Sequence, residues 1–421
     1  MKNLITSALL LISFFSFSQN QNKETGETFI KLLLQEKNYE KAYSFFDETV
    51  KSKISEELLK TTEQQLEGQL GKFNNIIEIN NDNATYFYYA DFEKMKLDIK
   101  ITLNEANKIL GFFFAPHREF NKKNLLGNDL NITSDNIDLK GTILIPEKNN
   151  LKKLVIFVHG SGPQDRDETV YENKPFKDIA ESLYQKGIAS YRFDKRTLTY
   201  PECFNDQSTI DDEVTNDIVN ILTYFKENEE FKAYEIILLG HSLGANLMPR
   251  IAGKSNQISK LILLAGNARP LQKLIAEQYN YLYKLNPTPE LQEAIIKMKG
   301  QIATLNSKSF NENTPKEQLP FNLSGYYWKS VLDYNPLKEV KNVKIPMLIL
   351  QGERDYQVTM EDFELWKSTL KNNKKASFIS YPKLNHLFMG GENASEPKEY
   401  ITKGTVDETI INDIYNFIEK N

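Results

Sequence analysis

Short runs rich in apolar residues alternate with helical patterns over the latter part of the chain. Apolar residues recur at helical spacing in 175–186 and 405–419. Runs that are apolar at successive positions are typical of strands buried on both faces of a parallel sheet. Such runs occur at residues 154–158, 236–239, 261–265 and 347–350, and residues 189–193 and 377–380 are further predicted strands in the alternation. The alternation predicts an α/β domain over residues 119–421, with a mostly parallel sheet and helices on both faces.

The chain ahead of this domain has a different pattern. Residues 24–70 have helical periodicity, and after them apolar and polar residues alternate as in antiparallel strands. Tyr86, Tyr88 and Ala90 fall on one face of such a strand. We therefore predict a small α+β unit over residues 19–118, and its pattern resembles the nuclear-transport-factor-2-like domains that precede some bacterial hydrolases. Its titratable residues form no catalytic pattern, so we expect an accessory module or a surface for homodimerisation.

One long segment interrupts the strand–helix alternation. Residues 268–340 are too long for a connection between a strand and a helix, and they contain two helical patterns followed by an aromatic cluster. We interpret this insertion as a helical lid over the site. The alternative is a helical insertion with no role in binding.

Composition and the first residues narrow the class of protein. The net charge of −5 gives no basic surface for nucleic acid or an anionic membrane. The single cysteine, Cys203, excludes an intrachain disulfide and a thiolate metal cluster. Residues 1–18 have one early lysine and an apolar run too short to span a bilayer, which predicts a cleaved secretory signal and a periplasmic or secreted protein without a membrane span. A membrane anchor or a buried N-terminal helix is the alternative.

The strongest chemical signal is the pentapeptide at residues 240–244. It reads Gly-His-Ser-Leu-Gly, and it lies between the apolar run at 236–239 and a helical pattern. In the G-x-S-x-G motif, small neighbours allow a sharp strand-to-helix turn that exposes the serine. The helix that begins behind it stabilises negative charge. The context predicts that Ser242 is a nucleophile, whereas the pentapeptide alone could be a coincidence.

A serine nucleophile needs a base, and the chain has only four histidines. His117 lies in the linker between the predicted domains, and His159 ends a strand. His241 adjoins the serine and is expected to point away from it and to pack. By elimination the base is His386, on a loop after the last predicted strand.

The base needs an orienting carboxylate, and the transition state needs hydrogen-bond donors for a carbonyl oxygen. Asp355 follows the run at 347–350 and is the predicted acid, with Glu353 as the alternative. The predicted oxyanion donors are the backbone N–H groups of Leu243 and Ser161. The second lies in a glycine-rich loop that could instead be only a tight turn.

Residues 120–421 resemble the α/β-hydrolase superfamily. The resemblance is carried by four motifs, namely HGSGPQDRD from His159, GHSLG, GERD and the NH pair ending at His386. Ser242, Asp355 and His386 also follow the chain order of that superfamily's triad. The resemblance implies an α/β-hydrolase fold, a catalytic triad and no metal or other cofactor. It further implies that the charges at 165–167 and 194–196 order the oxyanion loop by ion pairing.

Relatives in this branch are mostly carboxylesterases acting on short acyl chains, with peptidases and acyltransferases nearby. We therefore expect a serine esterase with a small-molecule acyl ester as substrate. A serine peptidase of aminopeptidase type, an acyltransferase or a thioesterase of the same fold are the alternatives. A non-catalytic binding protein that keeps the fold as a scaffold is a further one.

Overall fold

The computed structural model describes residues 22–82, 84–104, 106–115, 117 and 127–420. The predicted signal at residues 1–18 lies outside the described residues. The chain divides into two compact units, residues 1–122 and 123–421. Within the described stretches, no helix combines the length and apolar character needed to cross a membrane.

The first unit is α+β, as predicted. Residues 22–30 are helical and continue into a π-helical turn, Lys31–Gln35. The other helices are α1 (Tyr39–Tyr43), α2 (Glu48–Lys51) and α3 (Glu56–Leu70). The antiparallel sheet has the order β1 (Phe73–Asp82), β2 (Thr85–Phe92), β3 (Lys96–Leu103) and β4 (Ile109–Ala115). Alternation places Tyr86, Tyr88 and Ala90 in one aromatic-rich core against Phe29 and Phe46.

The second unit contains an eight-stranded sheet that is mostly parallel. The strands of this sheet are β5 (Asn128–Asp129), β8 (Gly141–Leu144), β9 (Lys153–Val158), β10 (Ala189–Phe193), β11 (Glu235–His241), β12 (Ile258–Leu264), β13 (Met347–Gly352) and β14 (Ala376–Tyr381). A separate two-stranded hairpin consists of β6 (Ile132–Ser134) and β7 (Ile137–Leu139). The order in the eight-stranded sheet is β14-β13-β12-β11-β9-β10-β8-β5. Strand β8 pairs antiparallel with β10, and β5 pairs antiparallel with β8, whereas the other neighbours in this sheet pair in parallel. Strands β9, β11, β13 and β14 therefore end at one edge of the sheet, where their following loops meet.

Strand β11 lies in the interior of this sheet and is buried on both faces, as its apolar run predicts. Ile236 and Leu238 join one hydrophobic core, while Ile237 and Leu239 join the core on the opposite face. Full burial of one such side chain stabilises the fold by roughly 1.5–3 kcal/mol relative to exposure. The strand that leads directly into Ser242 is thus firmly anchored in the sheet.

Helices cover both faces of the sheet, and an insertion separates β12 from β13. In chain order the helices are α4 (Pro175–Gln185), α5 (Arg196–Thr199), α6 (Asn216–Glu227), α7 (Leu243–Lys254), α8 (Leu271–Leu285), α9 (Pro289–Leu305), α10 (Gly325–Asp333), α11 (Pro336–Glu339), α12 (Met360–Thr369) and α13 (Glu408–Glu419). The insertion contains α8 to α11 and has its own small core around Trp328.

Candidate active site

Ser242 lies at the turn between β11 and α7 in a strained backbone conformation. Its φ of 52° and ψ of −116° are unusual for a residue other than glycine. The turn is held by a hydrogen bond from the Ser242 amide to the Leu264 carbonyl, 2.9 Å long. A Cβ at Gly244 would collide with the Val158 carbonyl, so the close approach of α7 to β9 requires glycine there. This geometry is that of the predicted strand–turn–helix.

The predicted acid and base lie together. His386 Nδ1 is 2.6 Å from Asp355 Oδ2, and both side chains are buried. The other carboxylate oxygen of Asp355 accepts from the amides of Gln357 at 2.8 Å and Val358 at 3.0 Å. Gln351 Nε2 donates to Oδ2 at 3.1 Å. Because all these partners donate, the Asp355 carboxylate is fixed as an acceptor for His386.

The alternative acid, Glu353, is placed differently. Its side chain is exposed, and Oε1 accepts from the Ser380 hydroxyl at 2.8 Å. The loop that carries His386 is ordered by Asn385, whose Oδ1 accepts from the amides of Leu387 at 3.0 Å and Met389 at 3.1 Å. The geometry therefore pairs His386 with Asp355 and directs Glu353 elsewhere.

The contact between the segments of Ser242 and His386 is indirect. Among residues 127–420, the structure contains no hydrogen bond between the Ser242 hydroxyl and the His386 ring. The two segments are joined instead through His241, whose Nε2 is 2.9 Å from the His386 carbonyl oxygen. The rings of His241 and His386 have centroids 4.5 Å apart. Catalytic hydrogen bonds in ligand-free structures are often long and tighten only with substrate.

The loop after β9 contains the predicted oxyanion donor. The amide of Gly160 donates to Glu168 Oε1 at 2.6 Å, and the amide of Gly162 donates to Glu213 Oε1 at 3.1 Å. The amide of Ser161, which lies between these two glycines, has no acceptor among residues 127–420. The amide of Leu243 has no acceptor there either. Both residues line the same cavity as Ser242. The two predicted donors are therefore the amides that remain for a ligand oxygen.

A buried ion pair supports this loop from below. Lys195 Nζ donates to the carbonyls of Gly160 at 2.8 Å and Gly162 at 3.0 Å, and it lies 2.5 Å from Glu213 Oε1. The second oxygen of Glu213 accepts from the Tyr327 hydroxyl at 2.5 Å. Since Tyr327 belongs to α10, the insertion is bonded directly to the support of the oxyanion loop. Burial and the Glu213 charge raise the pKa of the Tyr327 phenol, so it stays a donor.

The charged residues of the HGSGPQDRD motif form ion pairs, as the resemblance implies. Arg166 binds the Asp194 carboxylate through two nitrogens at 3.1 and 2.8 Å. Asp167 pairs with the buried Arg192. Asp165 accepts from a turn of its own loop, and burial together with nearby carboxylates raises its pKa to about 6. These contacts order the loop that follows β9.

The remaining histidines are occupied by other partners. His159 Nε2 lies 3.0 Å from the Asp165 carbonyl, and burial lowers the pKa of His159 to about 4. In the first unit, His117 Nδ1 lies 2.8 Å from Asp98 Oδ1. His241 does more than pack, because its Nδ1 lies 3.0 Å from Glu168 Oε2. Burial opposes the charged form of His241, but the Glu168 carboxylate raises its pKa on balance.

A cavity of about 700 Å³ opens beside Ser242. Such a volume suits a small organic ligand. Its apolar wall comes partly from the insertion. Its apolar lining includes Phe204, Ile210, Leu271, Leu274, Ile275, Phe321, Leu323, Val331, Leu332 and Val358.

The charges at the cavity wall are already neutralised. Glu213 is the one acidic residue lining the cavity in the described part of the chain, and Lys195 pairs with it. Arg269 is the one basic residue there, and Asp362 holds it through two nitrogens at 3.1 and 2.8 Å. Glu361 also contacts Arg269 at 2.5 Å. The cavity therefore offers a ligand apolar surface and neutral polar groups.

Sequence reasoning missed three residues of this site: Glu168, Glu213 and Tyr327. Glu168 follows the DRD tripeptide directly, so its place in the motif is a signal that could have found it. Glu213 lies among other acidic residues at a helix start, and nothing local separates it from them. Tyr327 lies in an aromatic cluster and is 114 residues from its partner Glu213.

Comparison with known proteins assigns the second unit to a family. The profile of the family described as "Serine aminopeptidase, S33" matches residues 149–393, which include Ser242, Asp355 and His386. Esterase EstD of Thermotoga maritima is 30% identical over 397 residues, covering 92% of this chain and 93% of EstD. The chain belongs to this family of serine hydrolases with the α/β-hydrolase fold. A family of proteins of unknown function, DUF3887, matches residues 27–112.

Solved structures with related folds include two esterases. Esterase Pf2001 of Pyrococcus furiosus is 18% identical with a TM-score of 0.48, covering 72% of this chain and 96% of that one. Est1E from Butyrivibrio proteoclasticus is 21% identical with a TM-score of 0.44, covering 70% of this chain and 100% of that one.

Proposed function

We propose that this hydrolase cleaves carboxylic esters of short acyl chains through an acyl-enzyme on Ser242. The Ser242 oxygen attacks the ester carbonyl carbon, and His386 takes the serine proton and gives it to the departing alcohol. Water then attacks the acyl-enzyme, with His386 taking its proton and returning it to Ser242 as the carboxylic acid leaves. The observation that carries the proposal is the buried His386–Asp355 pair, together with a strained Ser242 at a cavity whose charged side chains are already paired.

The proposed roles agree with the local geometry. Asp355 bonds Nδ1 of His386, which leaves Nε2 to act on the serine proton. The amides of Ser161 and Leu243 would bind the oxyanion. Preorganised donors of this kind contribute on the order of 10²–10³ each in rate.

The cavity favours an ester over an aminoacyl substrate. Recognition of a free amino terminus calls for a carboxylate that is not already paired. Glu213, the acidic residue of the cavity wall in the described chain, is bound by Lys195, Tyr327 and the Gly162 amide. Its apolar lining instead suits an acyl chain or the alcohol group of a neutral ester. The similarity to esterase EstD supports the same reading.

The insertion is proposed to act as a lid. Its residues Leu274, Ile275 and Phe321 line the cavity, so it separates the ester from water on that side. Exclusion of water strengthens the electrostatic interactions that stabilise the transition state.

A substrate panel tests the proposal. We expect the full chain to hydrolyse p-nitrophenyl acetate through octanoate and to leave aminoacyl-p-nitroanilides uncleaved. Ser242→Ala should lower kcat by about 10³-fold or more. Ser368→Ala is the matched control, since Ser368 is exposed on α12, and it should keep full activity. Turnover of the anilides alone would indicate a peptidase instead of an esterase. Full activity of Ser242→Ala would show that Ser242 is not the nucleophile.

We also propose that residues 1–18 direct export. Expression of the full gene in a bacterial host with a secretory pathway should yield a mature chain that begins at Gln19, measured by intact mass. A cytoplasmic protein that retains Met1 would contradict it.

A further inference from the structure

The Glu168–His241 pair joins three loops at the carboxyl edge of the sheet. Glu168 Oε1 accepts from the Gly160 amide of the oxyanion loop at 2.6 Å. Its other oxygen, Oε2, lies 3.0 Å from Nδ1 of His241, the last residue of β11. His241 Nε2 in turn lies 2.9 Å from the carbonyl oxygen of His386. A continuous chain of contacts therefore runs from the oxyanion loop, past Ser242, to the loop of the predicted base.

The chemistry of these contacts defines the protonation of His241. A backbone carbonyl only accepts, so the His241 Nε2 that faces His386 carries a proton. His241 Nδ1 lies within ion-pair distance of the Glu168 carboxylate, and, against the opposing effect of burial, that charge raises the pKa of His241. The contacts therefore favour an imidazolium paired with a carboxylate, and both groups are almost fully buried, at 6% and 2% exposed.

Backbone strain supports a functional reason for this pair. Glu168 has a φ of 53°, in the left-handed region that a glutamate rarely adopts. Such a conformation is unfavourable in isolation and persists only where the surroundings enforce it. The Gly160 position is equally tight, since a Cβ there would lie 3.0 Å from Glu168 Oε1 and 3.3 Å from Ser242 Cβ.

We propose that Glu168 and His241 are positioning residues that set the distance between the oxyanion donor at Ser161 and the base His386. Neither touches the substrate, and the proposal rests on the proposed role of Ser242. A misplacement of about 1 Å in a catalytic group costs on the order of 10²-fold in rate. We therefore expect Glu168→Ala to lower kcat by about 10²-fold while KM changes less than threefold.

Glu168→Gln separates this role from simple structural support. A glutamine can accept from Gly160 with its oxygen and donate to an unprotonated Nδ1 of His241 with its amide, while Nε2 still donates to His386. At neutral and alkaline pH its kcat should therefore recover to within about threefold of the wild type. Protonation of His241 in this variant would place an N–H at Nδ1 opposite the NH₂ group of the glutamine. Two donors cannot bond each other, so the contact between residue 168 and His241 would be lost.

The pH profile is the decisive readout. The ionisable groups that face His241 are Glu168, the ring of His386 and Asp355, with His159 on the far side of Glu168. The readout is the ratio of kcat for Glu168→Gln to kcat for the wild type, which removes the pH dependence that the two proteins share. Between pH 5 and pH 9 this ratio should rise with pH. A ratio that is constant with pH, or a Gln variant as impaired as the Ala variant, would overturn the proposal.

The matched control is Glu235→Gln, at an ion pair with Lys153 and Lys260 at the amino end of β11, the opposite end of the strand from the site. It should lose stability but keep the kcat of the wild type at every pH. The labelling rate of wild-type Ser242 by a fluorophosphonate tests the underlying function separately. No labelling of the wild type would refute the proposed nucleophile, whereas labelling of the wild type and of Glu168→Ala at equal rates would refute only the positioning role.

Discussion

The two sides of the cavity are built in different ways. On the side of the sheet, the oxyanion loop is held by buried charges, with Glu168 bonding Gly160 and the Lys195–Glu213 pair bonding both Gly160 and Gly162. On the side of the insertion, the wall is mostly apolar. Hydrogen bonds are directional and fix atoms within narrow limits, whereas apolar contacts depend mainly on area.

This difference suggests that the sheet side of the cavity positions the reacting groups, while the insertion side determines which substrates bind. Removal of one partner from a buried ion pair costs roughly 3–5 kcal/mol, because an uncompensated charge remains. Truncation of a half-exposed apolar side chain costs far less. Changes on the sheet side should therefore damage rate or folding, and changes on the insertion side should mainly alter affinity. The following predictions test this contrast in order of decreasing effect.

Asp355→Asn should give the largest effect. An amide can place its NH₂ toward His386 Nδ1 and favour the wrong tautomer, so the imidazole can no longer take the Ser242 proton. We expect kcat for p-nitrophenyl acetate to fall by about 10²–10⁴-fold with little change in KM. Glu353→Gln is the control, and it should retain most activity because Glu353 is exposed and bonded to Ser380. The reverse outcome would identify Glu353 as the acid.

Lys195→Met should chiefly affect stability. Methionine has a similar length but leaves the Glu213 carboxylate buried without its cation, so the free energy of unfolding should fall by about 3–5 kcal/mol. Fluorescence in urea measures this cleanly, because the two tryptophans, Trp328 and Trp366, are both buried in the second unit. Lys338→Met, at an exposed lysine, is the control. An equal midpoint for both variants would show that the pair is dispensable for folding.

The fold and the chain order of the predicted triad residues were accessible from the sequence for identifiable reasons. An apolar run such as 236–239 can be satisfied only by burial on both faces, and G-x-S-x-G after it allows few alternatives to a sharp turn. Asp355 and His386 each follow a predicted strand, and parallel strands bring their carboxyl ends together. Local pattern and topology were sufficient there.

The supporting network could not be predicted in the same way. Glu213 acts through Lys195 and Tyr327, which approach it only in the folded chain and from opposite directions along the sequence. The polar contacts of His241, for which only packing was expected, could not be predicted, because its partners Glu168 and the His386 carbonyl lie on loops whose paths have no periodic signal. Buried polar contacts between distant loops depend on tertiary structure and leave no local trace.

Tyr327→Phe tests the hydrogen bond by which the insertion contacts the buried Lys195–Glu213 pair. The ring stays in place and only the hydroxyl that donates to Glu213 is lost. A hydrogen bond to a charged group contributes roughly 1.5–3 kcal/mol, so we expect kcat to fall by about tenfold if part of that energy holds the oxyanion loop. Tyr326→Phe is the matched control, since Tyr326 is 40% exposed on the same helix. Equal kcat in both variants would show that the hydrogen bond from Tyr327 to Glu213 does not affect the oxyanion loop.

Phe321→Ala should give the smallest effect and one confined to binding. Phe321 lines the cavity but is 55% exposed, so its truncation removes apolar contact without opening a void in the core. The lost contact is worth about 1 kcal/mol for a long acyl chain. KM for the octanoate ester should therefore rise roughly fivefold, KM for the acetate should barely change, and kcat should be unaffected. Ile296→Ala, at an exposed residue of α9 away from the cavity lining, controls for lost surface area. An equal fall of kcat for every ester would mean that the apolar wall also takes part in the chemistry, and the contrast between the two sides would fail.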